Sequence, residues 1–317
     1  MNKICITGAN GFIGSALCRT LIKSSVSIIA LVTRLEFLLK SDKIKYIKIN
    51  DLSSEKNLKG YFTGCDYIIH CAGKSYNQNY KLDDFKLANI ESTRNVAKQA
   101  VIAGVKRIIF LSSVKVNGEN SNKNNNSKPF TINDAPESKD DYALSKFMAE
   151  RSLWEIVTNT NLEVVIIRLP LVYGNGVRGN LNRLIKLINL GIPLPFGSIN
   201  NKRSLLGIDN AVDVIIKSTK HPNAAGKTFL VSDNKDLSTP EMINIIVSAM
   251  NRSVKIFPFP ISILKFIGLI FQKKSEIQRL TESLQLDNTY VREILNWKPP
   301  TSTEEGIRKM IKEKMIQ

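Results

Sequence analysis

Twelve residues at the start of the chain constrain everything after them: Lys3-Ile4-Cys5-Ile6-Thr7-Gly8-Ala9-Asn10-Gly11-Phe12-Ile13-Gly14. The apolar run at 4–6 reads as a buried strand that ends in a glycine-rich turn. Ile13, Leu17 and Leu21 recur at helical spacing. A strand, a glycine turn and a helix in this order lay a pyrophosphate against a helix N-terminus, where open N–H groups and the dipole favour negative charge. Gly8 makes the tight turn, Gly11 lets backbone approach phosphate and Gly14 lets helix pack on strand. A glycine triplet alone is weak evidence. Its place between strand and helix makes it a candidate dinucleotide site.

The rest of the chain supplies the sheet that such a turn needs. With 317 residues and 43% hydrophobic content, it builds one large or two modest domains. No apolar run approaches the ~18 residues of a transmembrane helix, and the first strand begins too early to leave room for a signal peptide. Four cysteines between Cys5 and Cys71 fall on or near the first strands and helix. They read as small buried hydrophobes of a reduced, cytoplasmic protein. His70 and His221 are far apart, so no metal site is expected. The net charge of +17 raises nucleic acid as a partner, but the basic residues form no stripe interleaved with aromatics, and no nucleic-acid role is expected.

Residues 26–32 read as a second strand, followed by Thr33-Arg34. About 20 residues past the glycine turn, an acidic side chain would hold the adenosine ribose. Arg34 stands there instead, suited to a 2′-phosphate, so NADP(H) is expected in preference to NAD(H). The alternative is a solvated arginine. A third strand over 44–49 runs into Asn50-Asp51-Leu52, where Asp51 can accept from the adenine amino group. A fourth strand over 66–72 closes on Ala72-Gly73, small residues that let a cofactor lie close. A helix over 83–103 carries Asn89 and Thr93. A fifth strand over 107–111 ends in Ser112-Ser113. This alternation predicts a parallel, doubly wound α/β sheet.

The polar stretch 118–129, with Asn122, Asn124, Asn125 and Asn126, reads as a mobile loop. Asp141 then opens a helix to about 158, with Tyr142 and Lys146 one turn apart on one face. An ammonium beside a phenol would lower the tyrosine's pKa, as proton transfer requires; alone, such a pair is more often a surface contact. A sixth strand over 164–168 leads into Pro170, Leu171 and Val172. Residues 1–174 are thus expected to form the dinucleotide-binding domain. Residues 175–317 would form mainly a smaller substrate lobe, with 203–219 packing back on the sheet. Thr239-Pro240-Glu241 predicts a helix with a threonine cap. The apolar stretch 257–271 fits a helix buried in the small lobe, or less readily one lying on a membrane surface.

The Thr7 to Gly14 turn, Ser112-Ser113 and Tyr142-x-x-x-Lys146, in this order, resemble the extended short-chain dehydrogenase/reductases. That is the NAD(P)-dependent epimerase/dehydratase family acting on nucleotide sugars, with a Rossmann sheet and a smaller C-terminal α/β lobe, and the likeness covers essentially the whole chain. The stretches 111–119, 191–197 and 230–233 resemble a narrower branch found in O-antigen and capsule synthesis. It includes 4-ketoreductases making UDP-N-acetyl-quinovosamine or -fucosamine and is often labelled UDP-glucose 4-epimerase.

The resemblance implies roles. Tyr142 is the acid/base, Lys146 holds the nicotinamide ribose and Ser113 bonds the sugar's C4 oxygen. Thr7, Gly8, Gly11, Phe12, Ile13 and Gly14 embrace the pyrophosphate, and Leu52, Ala72, Gly73, Asn89 and the backbone from Pro170 to Val172 line the rest of the cofactor site. Asn180, Leu181, Phe196, Arg203 and Arg279 match positions holding the nucleotide diphosphate, and a homodimer is implied. Many relatives carry Tyr where this chain has Asn117. Lys115 replaces a second hydroxyl residue; it would favour negative charge on the C4 oxygen, or it is a solvated loop lysine. Arg34 and Lys115 together point away from simple 4-epimerisation. The expected activity is NADP(H)-dependent reduction of a UDP-4-keto-6-deoxy-N-acetylhexosamine. Its rivals are UDP-hexose 4-epimerisation and a non-catalytic NADP-binding role.

Overall fold

The computed structural model of the chain describes residues 3–36, 38–76, 80–123 and 126–315. Its centre is a seven-stranded, wholly parallel sheet. The strands are β1 (Lys3–Thr7), β2 (Ser27–Val32), β3 (Ile44–Lys48), β4 (Tyr67–His70), β5 (Arg107–Ser113), β6 (Glu163–Leu169) and, after a separate pair, β9 (Lys227–Leu230). The separate pair is β7 (Leu171–Tyr173) with β8 (Leu205–Gly207), also parallel. In the sheet the order is β9-β6-β5-β4-β1-β2-β3. The winding therefore reverses between β1 and β4, and the crevice beyond their carboxyl ends is where ligands bind in open α/β sheets.

The central strands are apolar runs rather than alternating patterns, because helices cover both faces. On one face, helices Phe12–Leu21, Ile208–Lys220 and Thr289–Leu295 pack with Ile4, Ile6, Ile109 and Trp297. On the other, Ser92–Ile102 and Asp141–Val157 enclose Cys5, Ile68, Phe110 and Val164. A third core, with Phe196, Ile243, Ile246 and Met310, lies under the small lobe.

Three details depart from the sequence expectations. The helix expected over 83–103 is Leu82–Phe85, a π-helical turn at Lys86–Glu91 and then Ser92–Ile102. The helix at 239 is capped by Ser238 rather than Thr239. The Ser238 hydroxyl accepts from the Glu241 N–H, and the Glu241 carboxylate accepts from the Ser238 N–H in return. The third concerns 257–271, whose favoured reading was a buried helix. The helix forms at Ile261–Ile270, but only Leu264 and Gly268 are buried; the rest of its apolar surface faces out, because one side alone meets the small lobe. Of the polar stretch 118–129, Asn122–Lys123 pairs antiparallel with Asn126–Ser127, and Asn124 and Asn125 lie outside the described residues.

A buried ion pair fixes the helix Asp141–Val157 against the sheet. Arg168 on β6 donates from Nε to Glu150 Oε1 at 3.0 Å and from Nη2 to Glu150 Oε2 at 2.7 Å. The Ser112 hydroxyl donates to the same carboxylate, and Arg168 Nη1 donates to Asn117 Oδ1 at 3.0 Å. Both charges are out of water, so removing one strands the other. Arg168→Ala should cost about 3–5 kcal/mol, read as a drop in the urea midpoint; a cost under ~1 kcal/mol would show the pair does not hold the helix.

Candidate active site

The glycine turn lies where the sheet's winding reverses. The Gly11 N–H donates to Gly8 O at 2.9 Å, and Gly11 is the cap of Phe12–Leu21 with no side chain bonded to the first-turn amides. Those amides therefore face the crevice as donors. Gly8 takes φ +66°, and a Cβ there would stand 2.8 Å from Ala72 N; one on Gly14 would stand 2.2 Å from Gly8 O. At Gly8 and Gly14 backbone thus packs on backbone with no room for a side chain, and this tight turn sets the open first-turn amides at the crevice, which fits a dinucleotide pyrophosphate. Phe12 packs toward the small lobe and Ile13 toward the sheet.

Beneath the turn runs a chain of buried hydrogen bonds. The Ala72 N–H donates to Thr7 Oγ1 at 3.2 Å, and Thr7 Oγ1 lies 2.6 Å from His70 Nδ1. His70 Nε2 lies 3.0 Å from Thr93 Oγ1, whose proton goes to Asn89 O at 2.6 Å. Each hydroxyl has one proton, so Thr7 donates to Nδ1 and Nε2–H donates to Thr93. His70 is therefore neutral, and burial, helped by the Lys146 charge, pulls its pKa down to about 3.

The π turn brings Asn89 into this chain. Its Oδ1 accepts from Lys74 N at 2.8 Å, and its Nδ2 donates to Lys74 O and to Ser145 Oγ. Ser145 in turn donates to Tyr142 O at 2.8 Å. Gly73 leaves space beside Asn89 Oδ1 and Lys146 Nζ, 2.8 and 3.6 Å from where a Cβ would be.

The structure brings Ser113, Tyr142 and Lys146 together at the end of β5. The Ser113 hydroxyl favours ionisation of the Tyr142 hydroxyl, but burial outweighs this and pushes that hydroxyl up to about 12. The expected lowering by Lys146 is therefore corrected: the Lys146 ammonium donates to Leu111 O at 2.9 Å and lies 4.6 Å from the Phe110 ring centre. Burial brings Lys146 itself down to about 8. Lys115 is not solvated either. Its N–H donates to Ser113 Oγ at 3.2 Å, while its ammonium is held by Glu119 and by Asp140. Asp140 is the cap of the Tyr142 helix.

Arg34 is exposed two residues beyond β2, and among the described residues no ion pair holds it. Asp51 is turned inward on its own loop. Although partial burial would raise its pKa, hydrogen bonds from Ser53 N–H, Ser53 Oγ and Ser54 Oγ hold it low. Leu52 packs under the sheet, Pro170 lies between β6 and β7, and Val172 is the middle residue of β7.

In the small lobe, Leu181 and Phe196 belong to the apolar core, while Asn180, Arg203 and Arg279 supply charge and donors. Arg203 Nη1 donates to Glu282 O at 3.0 Å. Burial and the neighbouring Arg279 lower its pKa to about 10. Asn180 Nδ2 and Arg279 Nη2 are buried without a hydrogen-bond acceptor. Two adjacent guanidiniums and two orphaned donors call for an anionic, oxygen-rich ligand.

Tyr76 was missed. Its ring meets the Tyr142 ring at 6.2 Å, the Lys115 ammonium at 3.9 Å and the Arg279 guanidinium at 4.1 Å. It connects Tyr142 to Arg279 of the small lobe, yet a lone tyrosine in a polar loop carries no pattern to reveal it. His70 and Ser145 went unassigned for the same reason.

A family model described as the NAD dependent epimerase/dehydratase family matches residues 4–232. A UDP-glucose 4-epimerase of Vibrio cholerae is 39% identical over 311 residues, covering 96% of this chain and 93% of that protein. An N-acetyl-alpha-D-glucosaminyl-diphospho-ditrans,octacis-undecaprenol 4-epimerase of Escherichia coli O157:H7 is 26% identical over 273 residues, covering 83% and 77%. Among solved structures, UDP-glucuronic acid 4-epimerase from Bacillus cereus in complex with NAD matches at a TM-score of 0.78 and 18% identity, over 99% of this chain and 100% of that one. That likeness is one of fold.

The His70 chain has a pH signature. Between about 6.5 and about 3 the unfolded protein takes up a proton that folded His70 refuses. The contribution of neutral His70 is therefore complete above about 6.5 and lost as pH falls, by up to about 1.4 kcal/mol per pH unit. Urea unfolding at a series of pH values should show a shallower acid slope for His70→Gln than for the wild type. Parallel slopes would mean that His70 is not held neutral.

Proposed function

The chain belongs to the NAD dependent epimerase/dehydratase family, and from that premise we propose that it reduces the 4-keto group of a UDP-4-keto-6-deoxy-N-acetylhexosamine using NADPH. The observation that carries the reading is the Ser113–Tyr142–Lys146 group, set at the end of β5 beside the glycine cradle. When bound, the dinucleotide supplies the hydride that forms the new C–H bond at the sugar's C4 and is itself oxidised.

This chain's residues do the rest. Tyr142 Oη gives its proton to the C4 oxygen as that oxygen gains negative charge. Burial keeps the hydroxyl protonated at neutral pH, the state from which a general acid starts. Ser113 fixes the hydroxyl and bonds the same sugar oxygen. Lys146, charged below about pH 8, holds the nicotinamide ribose and favours the phenolate left after transfer. Arg203, Arg279 and Asn180 hold the nucleotide diphosphate, which satisfies the open donors of Arg279 and Asn180.

Arg34 supports NADPH over NADH, since it is exposed where the adenosine ribose would sit. Lys115, neutralised by Glu119 and Asp140, orders the loop after Ser113 and does not act on the C4 oxygen. The 39% identity to the Vibrio cholerae UDP-glucose 4-epimerase supports a second reading, in which hydride is taken from C4 of a UDP-hexose and returned to its other face.

One assay separates the two. Supplied by a dehydratase with its 4-keto substrate, the enzyme should consume NADPH in step with product and scarcely interconvert UDP-glucose and UDP-galactose. Tyr142→Phe should lower turnover by about 10²–10⁴-fold with NADPH binding intact. Arg34→Asp should erase a roughly tenfold to hundredfold preference for NADPH. Rapid interconversion without net NADPH loss would assign the epimerase instead.

A further inference from the structure

The helix Ile261–Ile270 is apolar nearly all round, and helices of that kind are ordinarily enclosed. Here Phe266 is 62% exposed, Leu269 62%, Ile270 60% and Phe271 68%, with Ile263 and Ile267 also open. At about 100° per residue these side chains sweep one continuous arc, with Lys265 at its border. The opposite side is closed by protein. Leu264 is buried, and Gly268 lies against Ile277 of the following helix, Lys274–Thr281, where a Cβ would stand 2.6 Å from the Ile277 side chain. The two helices form a hairpin whose inner member brings Arg279 to the Tyr76 ring, while its outer member presents bare hydrocarbon. A patch of this kind marks an interaction site.

Charge selects the occupant. Over residues 251–282 the chain has Arg252, Lys255, Lys265, Lys273, Lys274 and Arg279 against Glu276 and Glu282, the latter 3.8 Å from Lys265 Nζ. Glu276 is paired with Arg183 and Lys273. Lys273 and Lys274 are exposed where the outer helix ends. Packing this face on a second copy would set like charges together on chains already at +17. An anionic bilayer accepts both features: its acyl boundary takes up the apolar arc, and its phosphates meet ammoniums that reach outward on apolar stems. Among the described residues no helix is long and apolar enough to cross a membrane, and ten residues span only about 15 Å, so the helix lies in the surface.

We propose that the hairpin 261–281 docks the protein on anionic lipid, with Phe266, Leu269, Ile270 and Phe271 inserted and Lys265, Lys273 and Lys274 on the headgroups. The reach of Arg279 into the site then puts the substrate cleft near the bilayer. This does not depend on which sugar reaction the site performs.

The test is co-sedimentation of the full chain with vesicles. Mixed phosphatidylglycerol–phosphatidylcholine vesicles should bind it at least about tenfold more tightly than phosphatidylcholine alone. Phe266→Glu/Ile270→Glu should abolish that binding while leaving NADPH affinity unchanged, which shows the fold intact. Lys273→Ala/Lys274→Ala should weaken the preference for the mixed vesicles. Failure of the wild type to bind them, or undiminished binding by the first variant, would overturn the proposal. So would a shift of the Phe266→Glu/Ile270→Glu variant from dimer to monomer on gel filtration without any lipid effect, which would make a second copy the occupant.

Discussion

The site depends on a line of buried hydrogen bonds that runs under the cofactor crevice from Ala72 through Thr7, His70 and Thr93 to Asn89. Every hydroxyl in it both gives and receives, so its direction is fixed once Thr93 donates to the Asn89 carbonyl. An imidazole is suited to the middle because, when neutral, it accepts on one nitrogen and donates on the other. The line ends on the residue whose side chain reaches Ser145, and so the first turn of the Tyr142 helix. The glycine turn and Tyr142 are thereby set in register by the buried groups that lie between them. In so dry a place an unmet donor would cost about 1–3 kcal/mol, which ties the two halves of the site together.

Electrostatics divides the site into a settled part and an open part. Around Tyr142 the charges are already matched: Lys115 is met by two carboxylates, Glu150 is met by Arg168, and Lys146 rests on a backbone carbonyl. In the small lobe they are not. Arg203 and Arg279 are near enough to repel, and Arg279 Nη2 is buried without an acceptor. On the proposed reading, a sugar is oriented by its distant diphosphate while its reacting end meets groups whose positions do not adjust.

Much of this was legible in the sequence. The turn from Thr7 to Gly14 is legible because its glycines sit between a strand and a helix, and the apolar runs at 26–32 and 107–111 read as strands of a parallel sheet. Ser113, Tyr142 and Lys146 were legible through order and spacing. What escaped reading depends on three dimensions. The pKa of Tyr142 follows from its burial, while the lysine one helical turn away donates to Leu111 O instead. Lys115 meets Asp140 across 25 residues. Tyr76 acquires meaning only when Arg279 arrives from the far end of the chain. The run 257–271 was expected to be enclosed because apolar helices usually are, and no sequence pattern says that the small lobe leaves its outer side uncovered.

The most direct measurement follows an atom. Incubate the enzyme with the 4-keto sugar and NADPH carrying deuterium at nicotinamide C4, using each face in turn, and locate the label in the product by NMR. Deuterium at C4 of the UDP-sugar from one face only, with none transferred by Tyr142→Phe over the same interval, is the result this account predicts. A product carrying no deuterium at C4 from either face would contradict it.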